Sequence, residues 1–175
     1  MADDVIERLA SKRISKGELQ AAMEGDSSLI ATVVGGLASP KAPVRYGCAR
    51  AIMSLSAARP DLLYPHWESF AELLGGRYRI LTWSSIAIIA NLSSVDAEGR
   101  FEALFDRYYA LLGDGYMVTA ANVAASSARV AKAKPHLADS IAERLLGVEG
   151  IATGPHMTEE CKRVVAEAVV EALGS

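Results

Sequence analysis

The chain has 175 residues, of which 51% are hydrophobic and only 6% aromatic. A chain of this length can form one domain that buries roughly 70% of its unfolded surface. Its apolar content comes mainly from Ala, Leu, Ile and Val, which suits closely packed helices. The net charge of −3 at pH 7 gives no general basic field, which argues against attraction of nucleic acid or anionic lipid.

Neither the cysteines nor the start of the chain indicates export from the cell. The start, MADDVIERLASKR, is acidic and lacks the apolar region of a signal peptide. The most apolar run, 86–90, is far too short to cross a bilayer. Cys48 and Cys161 are far apart within helical patterns, which predicts reduced thiols rather than a disulfide. We therefore expect a soluble cytoplasmic protein without a membrane partner.

The apolar spacing predicts helices along the whole chain. No segment shows the alternation of a half-buried strand. Residues 1–26 predict an N-terminal cap made of two short amphipathic helices, 3–12 and 17–24. Residues 27–175 predict about four helix pairs within one domain, 1–175, namely 27–38 with 42–57, 62–74 with 78–93, 99–112 with 116–131, and 136–146 with 158–173. The one long glycine-bearing loop, 147–157, precedes Thr158, a predicted N-cap.

The helix pairs repeat at an interval of about 37 residues. A shift of 38 positions aligns Leu74 with Leu112 and Gly75 with Gly113. A shift of 37 aligns Ile52 with Ile89. An interval of this length is typical of helical solenoids, in which each unit buries its apolar face against the next.

Two of these segments resemble the A and B helices of a HEAT repeat. They are RPDLLYPHWESFAELLG (59–75) and RYRILTWSSIAIIANLS (77–93). APVRYGCARAIMSLS (42–56) is similar to the HEAT B-helix pattern, and CKRVVAEAVVEAL (161–173) is similar again. The resemblance implies an all-α, right-handed α-α superhelix with N-terminal capping helices. It also implies a non-enzymatic scaffold that binds a protein partner, because such solenoids mostly serve as binding surfaces.

The related armadillo family forms a ladder for extended peptides from a Trp and an Asn four residues apart. Asn91 matches that Asn, but Ala87 stands where the Trp would be. The equivalent positions of the neighbouring pairs are Ser54 and Arg129. The resemblance therefore does not extend to armadillo-style peptide binding.

Helical spacing divides each B helix into a core face and an outward face. In the second pair the predicted core residues are Leu81, Ser85, Ile88, Ile89 and Leu92. The outward sets are Tyr46, Ala49, Arg50 and Met53 in the first pair, Trp83, Ile86, Ala87 and Ala90 in the second, and Ala121, Ala124, Ala125 and Ala128 in the third.

B helices line the inner surface of HEAT solenoids, so the resemblance implies a shallow apolar groove there. The predicted partner-binding residues are Tyr46, Arg50, Met53, Trp83, Ile86 and Ala90. A partner helix or a second copy of the chain would occupy it. A helix that is apolar all round is also explained by simple burial, which leaves the exposure of Trp83 and Ile86 open. In the third pair, the polar residues Thr119, Ser126 and Ser127 fall on the core face, which indicates either close backbone packing or a helical phase that is off by one.

Other chemistry has weaker support. Lys41, Arg45, Arg77 and Arg79 form a basic rim at the starts of two B helices. The rim suggests an anion or nucleic-acid binder, or ordinary solvated ion pairs. A HEAT-like lyase or glycosylase is a further alternative that rests on analogy alone.

The histidines and Cys161 predict no metal site. His66 and His136 recur at equivalent repeat positions, which indicates a structural role. His156 and Cys161 have a spacing that fits no closed zinc site. We assign no catalytic, cofactor or metal residue.

Overall fold

The computed structural model describes residues 5–8, 11 and 13–174, apart from the side chain of Lys16. Within these ranges all regular structure is helical, and the single β-type contact is an isolated bridge between Gly154 and Met157. The predicted all-α class is therefore confirmed. In the same ranges no helix is both long and apolar enough to cross a membrane.

Ten α-helices lie between residues 13 and 174 of the described chain. They are α1 (Lys16–Gly25), α2 (Ser28–Gly35), α3 (Ala42–Ala58), α4 (Pro60–Leu63), α5 (Trp67–Leu73), α6 (Arg79–Leu92), α7 (Arg100–Ala110), α8 (Met117–Ala133), α9 (Ala138–Leu146) and α10 (Glu159–Gly174). Short 3-10 turns extend several of them, at Gly36–Ala38, Tyr64–His66, Ser93–Val95, Leu111–Gly113, Pro135–Leu137 and Gly147–Gly150. These positions agree with the predicted helix pairs to within a few residues.

The structure departs from the predicted helix 62–74, and the predicted helix 3–12 is described only in part. The predicted helix 62–74 is divided into α4 and α5 by the 3-10 turn Tyr64–His66. Pro65 explains the division, because proline has no N–H and its ring collides with the preceding turn. The predicted first cap helix, 3–12, lies mostly outside the described residues, of which 5–8 are helical.

Capping side chains explain where several helices begin. Ser15 and Glu18 form a capping box at α1: the Ser15 hydroxyl accepts the Glu18 N–H at 3.2 Å, and the Glu18 carboxylate accepts the Ser15 N–H at 2.8 Å. Thr158 caps α10, since its hydroxyl accepts the Cys161 N–H at 3.2 Å. The predicted N-cap at Thr158 is confirmed.

The chain divides into two compact units, residues 1–88 and 89–175. In the first unit α3 is the central helix, and its buried residues Cys48, Ile52 and Leu55 have no exposed surface. Helix α1 packs against α3. Gly36 also approaches α3 closely, because a Cβ there would lie 2.5 Å from the Cys48 sulfur. Two side chains of α6 bind carbonyls of α5, as Thr82 donates to Leu73 at 3.0 Å and Ser85 donates to Phe70.

In the second unit α8 packs mainly against α10. Its polar residues Thr119, Ser126 and Ser127 are buried, as the predicted core face of the third pair required. The Tyr109 hydroxyl donates to Ser127 at 3.2 Å, and the Ser127 hydroxyl donates to the Val123 carbonyl at 2.8 Å. The polar residues of the predicted core face are thus buried, although Ala124 of the predicted outward set is buried as well. Small hydrogen-bonded side chains fill this part of the core.

Candidate functional site

The first unit contains an open groove of about 700 Å³ lined by α3 and α6. Helix α3 contributes Ala42, Tyr46 and Arg50, and α6 contributes Ile80 and Ser84. Within each helix these residues are four apart, so each helix presents one face to the groove. We call this the α3–α6 groove. Its volume lies within the range of ordinary ligand pockets.

Loop residues Ile14 and Ser15 complete the lining of the α3–α6 groove. Most of the groove is apolar, with a single charged residue, Arg50, among the described residues that line it. Ile80 is 46% exposed and presents its apolar side chain to the groove. The groove therefore offers an apolar surface next to a positive charge.

The structure brings only part of the predicted partner-binding set to this groove. Tyr46 and Arg50 line it, and Met53, one turn beyond Arg50, is 37% exposed. Trp83 is half-buried. Ile86 and Ala90 have 0% and 1% of their surface exposed, so the prediction that they lie on the outward face is wrong, and neither presents surface to a partner in this structure.

Burial of Ile86 and Ala90 follows from the composition of α6. The helix is apolar on nearly all sides, and such helices are enclosed rather than displayed. Ala49 and Ala124 of the predicted outward sets are also buried. The groove residues that the sequence did not single out are Ile14, Ser15, Ala42, Pro43, Gly47, Ile80 and Ser84. The exposure of Ile80 could have been predicted from the sequence, since it is a large apolar residue in the first turn of a helix, directly after the charged Arg79.

Arg45 departs from its predicted place on an exposed rim, because only 5% of its surface is accessible. Its guanidinium carbon lies 3.8 Å from the centroid of the Tyr78 ring and 4.7 Å from that of Tyr46. One terminal nitrogen donates to the Ser39 carbonyl at 2.8 Å and the other donates to the Tyr46 hydroxyl at 3.4 Å. Two aromatic rings and neutral acceptors thus surround the charge.

The Arg45 guanidinium is incompletely satisfied. Its Nε is buried and has no hydrogen-bond partner in the described part of the chain. Arg77 lies on the same aromatic ring, with its guanidinium carbon 4.5 Å from the Tyr78 centroid. Among the residues that the structure describes, neither arginine has a carboxylate partner. Since Tyr46 belongs to the α3–α6 groove, a positive cluster without a counter-charge adjoins it.

The second unit contains a buried ion network that the sequence did not indicate. The Lys134 ammonium lies 2.9 Å from the Asp96 carboxylate and 3.0 Å from that of Glu102. Glu102 also contacts His136 Nε2 at 2.9 Å. Asp96 accepts the backbone N–H groups of Arg100 at 3.0 Å and Phe101 at 2.9 Å. The Asp96 carboxylate therefore caps the first turn of α7 and also binds Lys134, the residue that follows α8.

The pKa values of this network favour the charged forms. Burial acts to raise the pKa of Glu102, but hydrogen bonds and charge from Lys134 outweigh it and hold the pKa below its ordinary value. Burial acts to lower the pKa of Lys134, but Asp96 and Glu102 outweigh it and raise the pKa. A general acid or base needs a pKa near neutral, so these shifts suit a structural role. The contact of His136 with Glu102 agrees with the structural role predicted for that histidine.

The two titratable residues near the loop before α10, His156 and Cys161, make contacts with nearby side chains. The His156 ring stacks on Tyr116 with 4.6 Å between centroids. Hydrogen bonds with Thr158 lower the pKa of the Cys161 thiol. Among the described residues, no group of three or more His, Cys, Asp or Glu side chains is placed to hold a metal ion.

The fold and groove define an all-helical protein with a surface groove in its first unit. No protein-family model matches the chain, and no curated protein matches it. The resemblance to HEAT repeats thus stays a prediction from the sequence.

Proposed function

We propose that the chain is a non-enzymatic protein-interaction module of the HEAT-like kind, a right-handed superhelix of about four hairpins. In this proposal a protein segment binds in the α3–α6 groove. The observation that carries the proposal is an open, largely apolar groove bordered by Tyr46, Arg50 and Ile80. Tyrosine and arginine are among the residue types that contribute most to binding energy at interfaces.

The repeat proposal has independent support from helix lengths. The second helices of the predicted pairs are α3, α6, α8 and α10, with 17, 14, 17 and 16 residues. The first helices are shorter, and that of the second pair is interrupted by the 3-10 turn Tyr64–His66. A long helix that follows a short one at each repeat is consistent with stacked hairpins whose second helices carry the binding surface.

The charges near the groove indicate the chemistry of the partner. Arg50 is exposed within the groove, and the Arg45–Arg77 cluster adjoins it through Tyr46. A segment that fits would place an apolar side chain against Ile80 and carboxylates towards these arginines. Attraction between exposed charges weakens as salt rises, so binding of such a segment will decrease with ionic strength.

A random-peptide display selection against the purified chain tests this proposal. We expect enrichment of peptides with an apolar residue flanked by Asp or Glu, and loss of their binding to the Ile80→Glu variant. Val118→Glu is a matched control, because Val118 is also an exposed aliphatic residue, 37% exposed, but lies outside the groove. Selections that enrich nothing, or peptides that bind both variants equally, would contradict the proposal.

A second candidate function is recognition of an anion, including nucleic acid, at the basic rim. The buried Arg45 with an unpartnered Nε favours it, because a bound oxyanion would neutralise the cluster. Labelled single- and double-stranded DNA, titrated at low salt against wild type and the Arg77→Glu/Arg79→Glu variant, tests it. Absence of DNA binding at low salt would contradict recognition of nucleic acid at the basic rim.

The lyase or glycosylase alternative has less support. Such chemistry uses a carboxylate in the pocket, and the described lining of the α3–α6 groove contains none. A ligand that co-purifies in the groove would support the lyase or glycosylase alternative.

A further inference from the structure

The lining of the α3–α6 groove includes the first turns of two long helices. Ala42 and Pro43 begin α3, and Ile80 is the second residue of α6. A first helical turn presents backbone N–H groups that have no partner within the helix, together with the positive end of the helix dipole. Lys41 occupies the N-cap position of α3, and its side chain has no oxygen that could accept one of these N–H groups. An anion in this part of the groove would face the positive ends of both helices.

The side chains at these two helix starts carry the charge that is least favourable there. Neither first turn contains an acidic residue. Instead, Lys41 directly precedes α3, and Arg77 and Arg79 stand at the start of α6, all three with exposed side chains. Carboxylates stabilise a helix start, whereas cations oppose the helix dipole. A bound anion would therefore interact favourably with the side chains and with the helix ends.

Arg45 lies between the two helix starts and has a buried donor without a partner. It donates to the carbonyls of Ser39 at 2.8 Å and Pro40 at 3.4 Å, shortly before α3. Its guanidinium carbon is 3.8 Å from the ring centroid of Tyr78, which directly precedes α6. Its Nε has no hydrogen-bond partner within the described part of the chain. Because only 5% of Arg45 is exposed, water screens its charge poorly, and a counter-charge at the helix starts would stabilise it.

We propose that the segment bound in the α3–α6 groove is phosphorylated and that its phosphate lies at the starts of α3 and α6. This inference rests on the proposed binding of a protein segment in that groove. The exposed Lys41 and Arg77 donate to the phosphate oxygens, and the buried Arg45 contributes its charge. A phosphate has about −1.5 to −2 charges at pH 7 and three strong acceptor oxygens, whereas a carboxylate has one charge. It therefore suits this set of cations and two helix starts better than a single Asp or Glu does.

The distribution of charge favours one phosphate on a peptide over a nucleic acid. A single strand has a phosphate at every nucleotide and is bound by basic residues that follow the strand along a groove. Here the cations gather at the two helix starts. Among the described residues that line the groove only Arg50 is charged, and most of the lining is apolar. This surface fits a single anion next to an apolar side chain.

Three peptide libraries that differ only at a fixed central residue test the proposal on the purified chain. The central residue is phosphoserine, glutamate or serine, and the flanking positions are random. We expect retention of the phosphoserine library at least about tenfold above the other two, with apolar residues enriched beside the phosphate. Equal retention of the phosphoserine and glutamate libraries would overturn the phosphate while leaving the groove proposal in place. Retention of none of the three would contradict both proposals.

Substitutions locate the phosphate. The Kd values of one selected phosphopeptide and of its serine form are measured by fluorescence anisotropy. Arg77→Gln and Arg45→Met should each remove most of the advantage of the phosphopeptide, and Ile80→Ser should weaken both peptides by the same factor. Arg107→Gln is the matched control, because Arg107 is an exposed arginine of the second unit. If Arg77→Gln and Arg45→Met weaken both peptides equally, the phosphate does not lie at these helix starts.

Competition separates a phosphopeptide from other sources of phosphate. Inorganic phosphate should displace the labelled phosphopeptide only at far higher concentration than the unlabelled phosphopeptide does, because it lacks the apolar contact with Ile80. Single-stranded DNA should also compete poorly. An oligonucleotide that displaces the phosphopeptide at lower concentration than the unlabelled phosphopeptide would overturn the proposal in favour of nucleic-acid recognition.

Discussion

The two units each bury a cation, and they treat it in different ways. Lys134 in the second unit is held by two carboxylates, with Asp96 and Glu102 both within 3.0 Å of its ammonium. Among the described residues, those around Arg45 in the first unit are aromatic rings and neutral acceptors. A buried charge is stable when it is paired and hydrogen-bonded, and costly when it is not. The comparison indicates that Lys134 stabilises the fold, whereas Arg45 has no carboxylate partner among the described residues, and we propose that a ligand supplies the counter-charge.

Substitution of Lys134 has the largest expected effect. Lys134→Met leaves the fully buried Asp96 side chain without its counter-charge. We expect the free energy of unfolding to fall by about 3 kcal/mol, the cost of breaking a buried pair from one side. Urea denaturation monitored by circular dichroism measures it.

Lys132→Met is the matched control for that substitution. Lys132 lies in the same helix but is exposed. Its removal should change stability little. If the two variants unfold at the same urea concentration, the network does not stabilise the second unit.

Acid pH should weaken the Lys134 network. The pKa of Glu102 in the folded protein lies below its unfolded value, so its contribution is present above the unfolded pKa and is lost as pH falls through the folded pKa. Because Glu102 is one-third exposed, we expect a contribution of about 1 kcal/mol or less. Urea unfolding at neutral and acid pH, compared with Glu102→Gln, isolates it. A Glu102→Gln variant with the same pH dependence as the wild type would exclude this role for Glu102.

Substitution of Arg45 should have the smallest effect on stability. Arg45→Met removes a cation without leaving a buried carboxylate behind, and the Met side chain can still pack on the Tyr78 ring. We expect unfolding free energies within about 1 kcal/mol of the wild type. A loss as large as that of Lys134→Met would remove the distinction between the two cations.

Much of the fold could be predicted because its signals are local. Helix spacing, Pro and Gly punctuation, and the cap at Thr158 all act within a few residues of the chain. The buried face of α8 also followed from spacing, including its polar members Ser126 and Ser127. The division at Pro65 was missed because the apolar pattern continues through it.

The candidate site was less predictable because burial depends on neighbours that are distant in sequence. Spacing cannot show which side of α6 another helix covers. The sequence therefore predicts an outward position for Ile86, whereas its side chain has no exposed surface in the structure. Lys134 and Asp96 are 38 positions apart, and nothing local to either residue indicates their contact. The sequence pattern places Arg45 on the surface. It cannot show that the ring of Tyr78, which directly precedes α6, covers the guanidinium.

The central claim is that the α3–α6 groove binds a protein segment through an apolar contact and unneutralised arginines. Its most direct test is the Kd of one display-selected acidic peptide for wild type, Ile80→Glu and Val118→Glu. We predict that Ile80→Glu weakens binding by about tenfold or more while Val118→Glu leaves it unchanged. Equal Kd values for the three proteins would contradict the claim.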